Sequence, residues 1–78
     1  MSEEKLERLR KILFSTFPNS PIPQEIINLK MGDLEEWDSL GNFSLLLSVE
    51  QSFNLEFSLE DLTKISSIAE LIKKLENY

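Results

Sequence analysis

A chain of 78 residues with a net charge of −6, no cysteine and no histidine makes one small domain, which buries only about 60–65% of its unfolded surface. Without thiols there is no disulfide framework and no cysteine-bound metal; without imidazoles the commonest general base and metal ligand are missing. No apolar run approaches the roughly 20 residues of a membrane span, and residues 1–4 lack the basic-then-apolar opening of a secretory leader, so a cytoplasmic protein without a membrane span is expected.

Leu6, Leu9, Ile12, Leu13, Thr16 and Phe17 recur at helical spacing, predicting a first helix from Ser2 to Phe17. Ser2 can cap it, Glu3 and Glu4 suit its positive end, and Pro18 stops it. Residues 18–38 form a long connection marked by Pro18, Pro21, Pro23 and Gly32. Its apolar residues, among them Ile22, Ile26, Leu34 and Trp37, are expected to pin it to the helices. Pro23–Ile27 reads as one short helical turn with proline leading. A second helix is predicted from Ser39 to Phe53 with Asp38 as N-cap and Asn54 as C-cap. It is dense in apolar residues, so most of its circumference is expected to be buried. Phe43, Leu46, Leu47, Phe53, Phe57, Leu62, Ile65 and Ile68 are the expected core. Ser58 opens a short third helix ending near Thr63 or Lys64. Ser67 and Glu70 read as the capping box of a fourth, whose apolar face is Ile68, Leu71, Ile72 and Leu75. The fold class is all-α: a four-helix bundle with a long first loop and a short third helix, residues 1–78 forming one domain.

Charge is uneven along the chain. From Met31 to Thr63 there are eight carboxylates and no basic residue. Nucleic-acid binding is disfavoured, because it relies on cations that neutralise phosphate. A partner with a basic surface is favoured instead. An EF-hand starting at Asp33 fails, because Asp38 stands at its glycine position and Ser44 at its closing glutamate position. No metal site is expected.

Ser39 opens the second helix. As a catalytic nucleophile it would need a base, and this chain has no histidine and no lysine between Met31 and Thr63. With no base in reach, Ser39 reads as a simple helix start or as an attachment point rather than a reacting group, so no catalytic residue and no enzymatic activity are expected.

The surroundings sharpen this reading. Trp37-Asp38-Ser39-Leu40, then Val49-Glu50, Phe53, Leu55 and Phe57, then Glu60-Asp61, then Ile65-Ser66-Ser67-Ile68 stand at the offsets of the acyl carrier proteins, which the chain resembles over residues 29–75. The resemblance implies a 4′-phosphopantetheine arm, attached to Ser39 by a phosphopantetheinyl transferase, that carries acyl groups as thioesters. Asp38 is then both helix cap and transferase contact. Leu40, Glu50, Glu60 and Asp61 are the implied recognition residues for partners with basic surfaces: an acyl- or aminoacyl-loading ligase and downstream transferases. A monomer suits such a shuttle. Gly41, Ser44, Gln51 and Ser52 stand where carriers of the fatty-acid type commonly have acids, which points to a dedicated biosynthetic pathway. A carrier of aminoacyl groups and an unmodified interaction module of the same fold are the alternatives.

Overall fold

Ser2 begins the first helix by turning its hydroxyl onto the Lys5 N–H at 3.3 Å. The computed structural model describes residues 2–78. Helix α1 spans Glu3–Thr16 and buries Leu9, Ile12 and Leu13. It ends where Pro18 supplies no N–H; the Phe17 N–H makes the last bond, to the Leu13 carbonyl at 2.8 Å. Helix α2 spans Ser39–Phe53, capped by Asp38 and closed by Asn54 in the left-handed conformation, φ 54° and ψ 54°. Helices α3, Leu59–Lys64, and α4, Ile68–Glu76, follow. Among the described residues no strand forms, so the architecture is the expected all-α arrangement with a short third helix.

The long first loop is not a helical turn at Pro23–Ile27, contrary to the sequence expectation. Burying Ile26 against the core outweighs local propensity, and the turn falls further on, where the Leu29 N–H donates to the Ile26 carbonyl at 2.9 Å. Lys30 then pairs with Ser67 in an isolated bridge. The Met31 N–H donates to Ser66 at 2.8 Å and the Ile68 N–H to Leu29 at 3.0 Å. This stitches the loop to the start of α4.

Leu9, Leu13, Phe17, Trp37, Leu45, Leu46, Val49, Ile68 and Leu71 are the large side chains fully withdrawn from water. Two expected core residues lie at the surface instead. Phe43 is 44% exposed and Leu47 40%. Helix α2 buries one stripe only, Asn42, Leu45, Leu46 and Val49, at the i, i+3, i+4, i+7 positions of a single face. Among the described residues the opposite face, with Phe43 and Leu47, is left exposed. Phe53 and Leu62 pack on the core only in part, whereas Phe57, Ile65 and Ile68 are buried as expected.

The capping boxes also differ from expectation. At Ser67 the hydroxyl accepts from the Glu70 N–H at 3.1 Å, but the Glu70 carboxylate accepts from the Ser66 N–H at 3.2 Å, one residue early. The full reciprocal box sits on α3, between Ser58 and Asp61. That short helix needs both ends of its first turn satisfied more than the longer α4 does.

Candidate functional site

Trp37 fixes the entry to α2. Its indole is 1% exposed and stacks on Phe17 with centroids 5.7 Å apart and planes inclined by 23°. Its Nε1–H donates to Asn42 Oδ1 at 2.9 Å, and Asn42 Nδ2 donates to the Ile65 carbonyl at 2.8 Å. One buried amide thus joins the loop, α2 and the α3–α4 connection. Sequence reasoning missed it, because asparagine inside a helix reads as surface. The available signal was register: Asn42 shares the buried stripe with Leu45, Leu46 and Val49 and lies one and a half turns from a tryptophan that needs an acceptor.

Asp38 follows this anchor directly. Its carboxylate accepts from the Gly41 N–H at 2.8 Å, and its carbonyl accepts from the Asn42 N–H at 2.8 Å. Gly41 is required by close approach: a Cβ there would collide with the Glu36 carbonyl oxygen and press on the Phe17 ring. Ser39, the first helical residue, is exposed. Its N–H and that of Leu40 precede the first helical acceptor and have no partner within the helix. Leu40 is 76% exposed, so it takes no part in the core. Beside them lies an open hollow of ≈ 320 Å³ lined by Thr16, Phe17, Glu36, Asp38, Leu40, Gly41 and Ser44.

The acids of the middle section have internal work. Asp33 accepts from the Lys30 N–H at 3.0 Å and its ammonium at 3.3 Å. The backbone bond from Lys30 and then its side chain lower the Asp33 pKa below the ordinary carboxylate value. Glu36 accepts from the Asn19 N–H and the Ser20 hydroxyl, both at 2.9 Å. Glu50, one of the implied recognition residues, is half-buried, and its Oε2 accepts from the Phe57 N–H at 2.6 Å. Asp61 accepts from the Ser58 N–H at 3.2 Å and pairs with Lys74 at 3.2 Å. Burial pushes the Asp61 carboxyl up, but the bonds from Lys74 and Ser58 outweigh it and its pKa is lowered. Glu60 remains outermost, in a 3.6 Å pair with Lys64. Among the described residues no three carboxylates converge to hold a metal ion, and no helix is long and apolar enough to cross a membrane.

The structure therefore groups Asp38, Ser39 and Leu40 at one exposed helix start. Glu60 and Asp61 lie on α3, and Glu50 is turned into the α2–α3 corner. Phe43 and Leu47 join Leu40 on the outward face of α2, which dense apolar composition alone does not reveal.

No protein-family model and no solved structure matches this chain. A curated protein does: the acyl carrier protein homolog of Mycoplasma genitalium, 29% identical over 76 residues that cover 97% of this chain and 89% of that protein. That similarity runs across nearly the whole length of this chain.

Proposed function

We propose that residues 1–78 form one carrier domain, modified on Ser39 with 4′-phosphopantetheine and serving as a cytoplasmic acyl carrier rather than an enzyme. The observation that carries this reading is the exposed Ser39 hydroxyl at the start of α2, in a chain similar to an acyl carrier protein over almost its full length. The residues present fit the group. A phosphodiester on Ser39 would be an anion at the positive end of a 15-residue helix, beside the unpartnered N–H groups of Ser39 and Leu40. No wall closes over the hydroxyl, and a flexible arm has solvent on its far side. Once attached, the arm supplies the thiol that this cysteine-free chain lacks, and acyl groups are carried on it as thioesters.

The chain's own residues position this chemistry. Trp37, Asn42 and Gly41 hold the helix start rigid, so the serine is offered in one orientation. Asp38 caps the helix and presents a carboxylate to the transferase. Leu40, Phe43 and Leu47 occupy i, i+3 and i+7 of the outward face, the spacing of a helix that lies in a partner's apolar groove. Glu60 offers charge beyond that face. Glu50 and Asp61 add to the field that steers a basic partner, while each also holds a backbone N–H. With Ser44, Gln51 and Ser52 on α2, the docking helix is more apolar than charged, which supports enzymes of a dedicated pathway as partners.

The test is intact mass before and after incubation with coenzyme A, Mg²⁺ and a broad-specificity phosphopantetheinyl transferase. One phosphopantetheine gained by the wild type and none by Ser39→Ala is the expected result. No gain by a folded, initially unmodified protein would leave the unmodified interaction module as the better reading.

A further inference from the structure

Between the first turns of α1 and the loop that follows α1 lies an open hollow of ≈ 560 Å³, larger than the one beside Ser39. Leu6, Ile26 and Ile27 give it an apolar lining. Ile26 is buried, but Ile27 is 45% exposed. Arg10 also lines the hollow, and its guanidinium lies 4.9 Å from the ring centroid of Phe14, itself 46% exposed. Arg10 Nε donates to the Pro23 carbonyl at 3.4 Å, which joins helix and loop on that side. The result is a preformed apolar strip on the surface, the kind of feature that marks a docking face.

The charge around the strip selects the occupant. Glu3, Glu4, Glu7 and Glu25 line the hollow against Arg10 alone. The acids of the middle section hold backbone N–H groups, but these four make no hydrogen bond or ion pair among the described residues. Glu3 and Glu4 suit the positive end of α1, whereas Glu7 and Glu25 have no such task. Apolar surface ringed by carboxylates repels nucleic acid and anionic lipid and attracts a cationic polypeptide. The hollow is also remote from Ser39. Arg8, on the same turns of α1, donates to the Ser52 carbonyl and lies over the Phe53 ring. It thus marks the end of α2, roughly 20 Å along that helix from its start.

We propose that this hollow is a second docking site, taking a segment of a partner protein that carries leucine side chains between basic residues. The leucines pack on Ile27 and Leu6, and the flanking cations meet Glu7 and Glu25. Lying at the other end of the molecule, the site can be filled while Ser39 is engaged elsewhere. A partner bound there tethers the protein without occupying its serine.

The probe is the synthetic peptide acetyl-Lys-Arg-Leu-Leu-Arg-Lys-amide, titrated into isotope-labelled, unmodified protein and followed by amide shifts in NMR. Shifts should centre on residues 6–10 and 24–27. Ile27→Ser, and Glu7→Gln combined with Glu25→Gln, should each weaken binding roughly three- to tenfold. Leu59→Ser, which removes an exposed leucine outside the hollow, should bind as the wild type does. Any one of four results would overturn the proposal: no shifts at about 1 mM peptide, shifts centred on α2 or α3, unchanged affinity in the variants, or equal binding of acetyl-Glu-Asp-Leu-Leu-Asp-Glu-amide. Shifts of the same amides on diluting the protein alone would assign the face to a second copy and overturn it too. Because the protein is unmodified, a failed titration leaves the mass test on Ser39 standing, and a failed mass test leaves the docking site standing.

Discussion

The start of α2 and the α2–α3 corner are both tied by hydrogen bonds to distant parts of the chain, but the ties run through different media. At the start of α2, Trp37 and Asn42 bond inside the core, where each partner is withdrawn from water. At the corner, Lys74, Asp61 and Tyr78 bond at the surface. A buried bond is costly to leave unmade, since neither half can turn to solvent. A surface bond is exchanged for water at little cost. The buried ties therefore hold their end of the molecule more firmly than the surface ties hold theirs.

The contrast can be broken most severely at Trp37. Trp37→Ala removes the stack on Phe17 and a fully buried side chain, and should cost about 3–5 kcal/mol, read by urea denaturation, enough to leave so small a domain largely unfolded. Asn42→Leu orphans the Trp37 Nε1–H and the Ile65 carbonyl together. A loss of roughly 2–3 kcal/mol is expected, and a neutral result would refute the buried brace. Gly41→Ala should cost about 1–3 kcal/mol by overpacking against the Glu36 carbonyl, and a thermal melt measures it. At the surface-tied corner, Leu59→Ser should change stability by less than about 0.5 kcal/mol.

Acid provides the finest probe. Asp33 and Asp61 have folded pKa values below the ordinary 3.8. Their contribution is present in full above that value and is lost as pH falls through the lower folded values. Melts at descending pH should lose stability below about pH 4, and Asp61→Asn should flatten part of that fall.

The helices were legible because their signals are local. Caps at Ser2, Asp38, Ser58 and Ser67 and the stop at Pro18 all act within a few residues. The exposed place of Ser39 follows from the same local rules. What escaped was set by tertiary partners. Phe43 and Leu47 lie in a helix so rich in apolar residues that composition cannot choose its inward face. Glu50 looked like surface charge until the chain after Asn54 turned back to offer it the Phe57 N–H. More broadly, Asp33, Glu36, Asp38, Glu50 and Asp61 each accept a backbone N–H. Much of the acidity of the middle section holds irregular backbone together before it can greet any partner.

The chain has one tryptophan and one tyrosine, and each stands in one of the two contrasted regions. Trp37, packed on Phe17 beside Ser39, gives the start of α2 its own fluorophore, dark to quenchers such as acrylamide while the brace is intact. Tyr78, 63% exposed with its hydroxyl held at Glu56, gives the surface-tied corner its own chromophore. The buried ring and the exposed one thus mark the two regions with no label added to either.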